Sequence, residues 1–171
     1  MMIAAVCDMF DGKVARSIPN RTEQEKNFGV EIDSLGDIVC FITVPAIAIY
    51  EMVKLNGNIH MFHYVALSLY VVCGVIRLAY FNVAMADNSK AIHEYQGLPV
   101  PVGVFIFALI WIIGKIFNLG VGIAWAYTIA APLVGLLHVF KPVRIKKYTG
   151  TWFYVTVCIV AAILISLIFI L

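Results

Sequence analysis

The sequence contains few charged residues. Only 13% of its 171 residues are Asp, Glu, Lys or Arg, whereas 63% are hydrophobic. Soluble domains carry roughly a quarter charged residues, so this composition excludes an ordinary soluble domain and predicts an integral membrane protein. The formal net charge of +2 is too small to indicate a nucleic-acid partner, and we expect none.

Clustered thiols and imidazoles are also lacking. The cysteines lie singly in apolar runs without C-x-x-C spacing, which is typical of small buried residues and not of disulfides or zinc sites. The histidines include one pair with three-residue spacing, His60 and His63, which is weak evidence for a metal site. No basic leader and no small-residue cleavage site precede Asp8, so no cleavable signal peptide is predicted.

Long apolar runs predict an all-α, polytopic transmembrane helix bundle of about six helical segments. We expect a single domain over residues 1–171, with motif-bearing helices in 1–54 and the remaining bundle in 59–171. Only about seven apolar residues precede Asp8, whereas a bilayer span needs about twenty. We therefore expect the first helix to be truncated, through an N-terminally shortened chain or a mis-chosen start codon. The predicted segments are 1–16, 27–54, 60–85, 98–116, 121–140 and 151–171.

Basic residues are distributed unevenly between the two sides of the predicted bundle. One side holds only Lys54 and Lys115. Because cytoplasmic loops are enriched in Lys and Arg, the more basic side is predicted to face the cytoplasm. The acidic motif described next lies on that side, together with the loop Ala86 to Gly97. The basic residues there are Lys13, Arg16, Arg21, Lys26, Lys90, Lys141, Arg144, Lys146 and Lys147.

Four aspartates form the most prominent polar motif. Asp8 and Asp11 are three residues apart, and Asp33 and Asp37 are four apart, so each pair lies on one face of a helix. If the two faces converge, the carboxylates repel one another unless divalent cations neutralise them. Carboxylate oxygens suit Mg²⁺, Mn²⁺ or Ca²⁺, and a two-ion site fits phosphoryl transfer. The alternative is a set of ordinary carboxylates at helix ends near the membrane interface.

Small residues and one cation accompany these aspartates. Gly12 and Ala15 extend the first face, and Gly29 lies beside the second, so a ligand or another backbone can approach closely. Arg16 adds a planar guanidinium, which is suited to phosphate oxygens.

The combined pattern, D-x2-D-G-x2-A-R followed by G-x3-D-x3-D, resembles the signature of the CDP-alcohol phosphotransferases. The segment between the two halves, 17–28, is longer than the usual length of about eight residues and can bulge into water without moving either helix. The resemblance implies roles for eight positions. The implied metal ligands are Asp8, Asp11, Asp33 and Asp37, with Asp37 also the catalytic general base. The implied nucleotide and diphosphate residues are Asp8, Gly12, Ala15, Arg16 and Gly29.

Two further segments, 74–82 and 96–101, resemble those that accompany this motif in phosphatidylserine synthases. The resemblance implies transfer of a phosphatidyl group from CDP-diacylglycerol in the lipid bilayer to L-serine, with two divalent cations, Mg²⁺ or Mn²⁺. Arg77 and Asn82 are then candidate acceptor-binding residues. Arg77 lies more than a turn inside its helix, where an unpaired charge is costly, although it could instead snorkel to phosphate headgroups.

Several alternatives remain open from the sequence. The same reaction could use glycerol 3-phosphate or inositol phosphate as the acceptor, although the extra phosphate would call for additional cations. A small cation transporter could use the carboxylates as an ion path, but its acidic residues would lie near the membrane midplane. An inactive structural remnant is a third alternative. The resemblance also implies a homodimer. The distribution of basic residues, independently of the resemblance, predicts a cell-membrane protein whose active site faces the cytoplasm.

Overall fold

The structure is a computed structural model that describes residues 1–56, 59–86, 94–140, 144–146 and 151–170. Within these ranges the helices α2 and α3 are joined without a break by a π-helical segment, so six helical segments are present. This confirms the predicted all-α membrane bundle. The elements are α1 (Met2–Ser17), α2 (Glu23–Asp37), the π-helical segment (Ile38–Thr43), α3 (Val44–Asn56), α4 (Met61–Ala86), α5 (Val100–Ile116), α6 (Gly122–Val139) and α7 (Thr151–Ile170).

A short antiparallel ribbon accompanies the helices and was not anticipated from the sequence. Its strands are β1 (Glu94–Gln96), just before α5, and β2 (Arg144–Lys146), after α6. The other parts of the predicted loop 86–97 and of the basic cluster 141–147 lie mainly outside the described residues. The ribbon therefore pairs two segments, and the positions of apolar residues along the sequence do not predict this pairing.

Three described helical stretches are long and apolar enough to cross a membrane: Glu23–Leu55, Met61–Val83 and Gly122–Val139. Val100–Ile116 and Val157–Ile168 are shorter apolar helices. Many of their large apolar side chains point outward from the bundle, as Ile47, Val72 and Ile129 do. Such side chains suit a lipid environment and not water, so the chain is an integral membrane protein.

Helix α2 begins one turn before its predicted start near position 27. The Thr22 hydroxyl accepts a hydrogen bond from the Glu25 backbone N–H, and the Glu25 carboxylate accepts one from the Thr22 backbone N–H. This reciprocal capping box stabilises a helix start. The start of this stretch was predicted to lie in a loop, but the helix already includes Glu23, Glu25 and Lys26. The hydrogen bonds of the capping box stabilise the helix start although these residues are polar.

The π-helical segment ends two residues before Pro45, which interrupts the backbone hydrogen bonding of this long helix. Proline carries no N–H, so the carbonyl of Phe41, four residues earlier, lacks its usual α-helical donor. The buried hydroxyl of Tyr70 on α4 donates to that carbonyl at 2.6 Å. The Thr43 hydroxyl donates to the Ile38 carbonyl at 3.0 Å. Side chains thus satisfy backbone carbonyls in a region where unpaired polar groups are costly.

Glycines allow α4 to approach both of its neighbours closely. A Cβ atom added at Gly74 would lie 2.8 Å from Cδ1 of Ile42 in the π-helical segment. A Cβ added at Gly135 on α6 would lie 3.0 Å from the Cα of Tyr70. Small residues at such contacts let membrane helices pack through their backbones. Helix α4 is consequently the central element of the bundle and supports the helix that carries Asp33 and Asp37.

Replacing Gly135 with Ala should destabilise this packing, because the new methyl group would press on the α4 backbone. We expect a loss of about 1–3 kcal/mol, measured as a lower thermal unfolding midpoint in detergent. Gly36→Ala is the matched control, since nothing lies within 4 Å of its Cβ position. That variant should be neutral or slightly stabilised through its higher helix propensity. Equal midpoints for the two variants would contradict the close α4–α6 contact.

Candidate functional site

Carboxylates from two helices meet at one place. One carboxylate oxygen each from Asp8 and Asp11 on α1 and from Asp33 on α2 lies within 4.8 Å of the others. Asp8 is half-buried, whereas Asp11 and Asp33 are exposed. Three hard oxygen donors so close together form a set that suits Mg²⁺, Mn²⁺ or Ca²⁺. These residues could therefore hold a metal ion.

Asp37, the last residue of α2, joins this cluster through Asp8. The two carboxyl groups are within hydrogen-bonding distance, as are those of Asp11 and Asp33. Partial burial, followed by the charges of Asp11 and Asp33, raises the pKa of the Asp8 carboxyl above its ordinary value. Like charges this close need a shared proton or a cation between them. A bound divalent ion would remove that repulsion and favour the ionised carboxylates.

The connection between α1 and α2 brings the two acidic faces together. Asn20 adopts the left-handed conformation with φ of 59°, which Asn tolerates better than most residues. The Arg21 guanidinium donates from Nη1 to the Ala15 carbonyl at 3.1 Å and from Nη2 to the Glu25 carbonyl at 3.0 Å. One side chain therefore joins the end of α1 to the first turn of α2.

The residues predicted to bind the nucleotide flank the carboxylates along the two helices. Gly12 and Ala15 are half-buried on α1. Gly29 lies four residues before Asp33 and borders an open cleft of about 460 Å³. The side chain of Arg16 lies outside the described residues, although its backbone belongs to α1. The cleft is lined by Ile18, Arg21, Gln24, Glu25, Phe28 and Gly29.

Asn82, one of the two candidate acceptor residues, contacts the helix that carries Asp33 and Asp37. The Ser34 hydroxyl oxygen lies 2.9 Å from Oδ1 of Asn82 and 3.0 Å from the Val30 carbonyl oxygen. Since the hydroxyl has one hydrogen, both contacts are satisfied when the amide is turned so that its NH₂ group donates to Ser34. The end of α4 is therefore held against α2 between the two aspartates.

Arg77, the other candidate acceptor residue, is buried five residues earlier on α4, with 7% of its surface exposed. Its Nε would lie 3.4 Å from a Cβ added at Gly97, which has a left-handed φ of 82° and precedes α5. Its guanidinium carbon is 5.6 Å from the centre of the Phe81 ring. The structure therefore places this cation at the junction of α4 and the segment that enters α5.

Arg21 is the residue that sequence reasoning missed at this site. From the sequence, Arg21 was assigned only to the charges that define topology. A signal was present, because Arg21 immediately precedes the capping residue Thr22 and lies in the segment that is longer than usual. Glu31, which lies outside the predicted acidic face, is exposed on α2.

Comparisons with known proteins agree with the pattern of these residues. A family model described as CDP-alcohol phosphatidyltransferase matches residues 1–137. The chain is 34% identical over 110 residues to the CDP-diacylglycerol–serine O-phosphatidyltransferase of Helicobacter pylori, covering 64% of this chain and 43% of that protein. It is 37% identical over 103 residues to the protein of the same name from Mycobacterium leprae, covering 58% and 32%.

An archaeal protein is similar over a comparable stretch. The archaetidylserine synthase of Methanothermobacter thermautotrophicus is 32% identical over 114 residues, which cover 67% of this chain and 45% of that protein. The chain thus spans less than half the length of the curated relatives compared above.

Replacing Asp33 with Asn should weaken metal binding, because it removes one of the three clustered carboxylates. We expect Mn²⁺ affinity to fall by at least about tenfold, measured by titration of the purified protein with detection of free Mn²⁺ by electron paramagnetic resonance. Glu31→Gln removes the same charge from an exposed position of the same helix and should leave affinity unchanged. If both variants bound Mn²⁺ as the unmodified protein does, the cluster would not be a metal site.

Proposed function

Because the chain belongs to the CDP-alcohol phosphatidyltransferase family, we propose that it transfers a phosphatidyl group from CDP-diacylglycerol to the hydroxyl of L-serine. The products are phosphatidylserine and CMP. Two relatives named for this donor and acceptor support the choice of substrates. The observation that carries the proposal is the meeting of the α1 and α2 carboxylates within 4.8 Å.

We propose that Asp8, Asp11, Asp33 and Asp37 hold two divalent cations, Mg²⁺ or Mn²⁺, with Ca²⁺ as a further candidate. Such ions, when bound, neutralise the diphosphate and stabilise the charge that develops on the departing CMP. The four carboxylates come from consecutive helices joined by a connection of only five residues, 18–22. Their relative positions are therefore constrained before any ligand arrives, which limits the reorganisation that binding requires.

Asp37 is the proposed general base. It is half-buried at the end of α2 and adjoins Asp8, so its carboxylate lies at the edge of the cluster nearest the membrane-spanning part of the helix. In the proposed reaction it accepts the proton of the serine hydroxyl while that oxygen attacks the lipid-side phosphorus. The phosphorus–oxygen bond to CMP breaks as the new ester bond forms.

The small residues Gly12, Ala15 and Gly29 are proposed to let the nucleotide and diphosphate approach the helix backbones. The open cleft beside Gly29 supports this placement of the nucleotide. Arg16 is proposed to donate to phosphate oxygens, since a guanidinium offers paired donors with a geometry that matches them.

Arg77 and Asn82 are proposed to serve the acceptor. A buried guanidinium could pair with the serine carboxylate, and the contact between Asn82 and Ser34 places the end of α4 beside the acidic helix face. Glycerol 3-phosphate and inositol phosphate carry an additional phosphate and would call for additional cations, whereas Arg77 is the one buried Lys or Arg side chain among those that the structure describes. Serine is therefore the acceptor that best fits the charge of the site.

We also propose which side of the membrane the acidic cluster faces. Arg21 and Lys26 lie at the start of the continuous helix 23–56, in the same half of it as Asp33 and Asp37. Lys54 lies at the far end of that helix. By the positive-inside rule, the acidic cluster faces the cytoplasm, where nucleotide-activated lipids are within reach. We further propose that residues 1–171 act as one membrane domain and that two copies associate as a homodimer.

The choice of acceptor can be tested in membranes that contain the full chain and CDP-diacylglycerol. Radiolabelled serine, glycerol 3-phosphate and inositol phosphate are offered in parallel, each with Mg²⁺ or Mn²⁺. We expect label from serine to enter lipid with release of one CMP per product. Lipid labelling from another acceptor, with none from serine, would show that serine is the wrong substrate. Cation flux without any labelled lipid would favour a transporter.

Asp37→Asn should abolish turnover, because the amide cannot accept the acceptor proton. General-base catalysis contributes about 10²- to 10⁴-fold, so the rate should fall by at least about 100-fold while CDP binding persists. Glu31→Gln serves as the charge-matched control and should retain the rate of the unmodified enzyme. Near-normal turnover by Asp37→Asn would assign the base to another residue.

A further inference from the structure

We propose that Arg21 is a donor-binding residue that contacts a phosphate group of the CDP moiety. The inference rests on the proposed function and deepens it, because it assigns a ligand to a residue outside the acidic motif. Arg21 lies in the segment that is longer than usual for the resembled signature. It is therefore not one of the eight motif positions.

The guanidinium is held in place by two backbone carbonyls. Nη1 donates to Ala15 at the end of α1, and Nη2 donates to Glu25 in the first turn of α2. These bonds use two of the five N–H donors of the side chain. The remaining donors belong to the same rigid, planar fork, which can bind two oxygens of one phosphate at once.

Arg21 lies directly against a glycine of the predicted nucleotide site. A Cβ atom at Gly29 would come within 2.9 Å of Nη2, so only a residue without a side chain leaves the guanidinium in this position. Both residues line the open cleft of about 460 Å³. A ligand that used the space beside Gly29 would therefore meet the guanidinium as well.

The position of Arg21 along the helices suits a diphosphate that spans from the carboxylates to the cleft. Its two carbonyl partners and Gly29 lie between the aspartates and the 18–22 connection that joins α1 to α2. Ala15 follows Asp11 by four residues, and Gly29 precedes Asp33 by four. Each separation is about one helical turn, or roughly 5 Å along the axis.

The positive charge of Arg21 is not balanced by an ion pair within the described part of the chain. The described ion pairs are Lys26–Glu23 and Lys54–Glu51. Glu25 also lines the cleft, but its carboxylate accepts hydrogen bonds from the Thr22 backbone and hydroxyl. Glu25 offers Arg21 a backbone carbonyl. The charges of the two side chains attract each other, but the side chains form no ion pair in the described part of the chain. An anionic ligand in the cleft would complete the pairing.

The competing explanation is that Arg21 only clamps α1 to α2. A clamp would affect stability and every substrate alike, whereas a donor-binding residue affects the CDP moiety alone. Arg21→Gln removes both the positive charge and the paired guanidinium donors. Arg21→Lys keeps the charge but lacks the paired donors. Lys26→Gln is the matched control, because Lys26 is an exposed cation on the first turns of the same helix and pairs with Glu23 at 2.7 Å.

The experiment titrates the purified full chain with CDP in the presence of Mn²⁺, in a neutral detergent without anionic lipid, and follows binding by calorimetry. We expect Arg21→Gln to weaken CDP binding by about tenfold and to raise the KM for CDP-diacylglycerol similarly. The KM for serine should be unchanged, and the fall in unfolding midpoint caused by the lost carbonyl bonds should be no larger in Arg21→Gln than in Arg21→Lys. Arg21→Lys should lie between Arg21→Gln and the unmodified protein, and Lys26→Gln should match the unmodified protein.

Three results would overturn the inference. Unchanged CDP affinity in Arg21→Gln would exclude a contact with the CDP phosphates. If this variant lost only binding to vesicles of anionic lipid, Arg21 would contact lipid headgroups and not CDP. A fall in CDP affinity that is matched by an equal rise in the KM for serine would leave only a clamp. Absence of CDP binding by the unmodified protein would remove the donor chemistry itself. By contrast, weakened CDP binding in an enzyme that uses another acceptor would refute the proposed serine reaction and support the role of Arg21.

Discussion

Mutual repulsion among carboxylates at the ends of apolar helices is the constraint on which the site depends. Asp8, Asp11 and Asp33 approach within 4.8 Å, and Asp37 joins them through Asp8. Packing them together costs free energy that burial of apolar surface elsewhere must offset. When a divalent cation is bound, the close approach of the carboxylates becomes favourable, because they then act as its ligands. The arrangement is therefore unfavourable by itself and well suited to a charged phosphate ligand with its metal ions.

The rest of the bundle can be understood as support for this arrangement. Helix α4 packs through glycines against the π-helical segment and α6, and its end contacts α2 through Asn82 and Ser34. Tyr70 satisfies a carbonyl that Pro45 leaves without its usual donor. These contacts fix the long helix that carries two of the four aspartates. The exposed apolar side chains around them remain available to lipid.

Much of the fold was predictable because it follows from local composition. Long apolar runs identified each helical segment, and the bounds differ mainly where a polar signal acts. The start of α2 is the clearest case, because the capping box of Thr22 and Glu25 begins the helix among residues that look like a solvated loop. The β1–β2 ribbon was not predictable, since its strands pair across a long separation and three residues are too few for an alternating pattern to be distinctive.

The amino-acid sequence by itself determined that this is a membrane protein and which helix faces carry the aspartates, because composition and helical periodicity are local properties. It also supplied the signature shared with the family. Only the tertiary structure decided that the two acidic faces meet and that Arg21 lies against Gly29. Likewise, only the structure placed Asn82 against Ser34, 48 residues away. Such contacts depend on the geometry of a short connection and on helix packing, which residue spacing along one helix cannot specify.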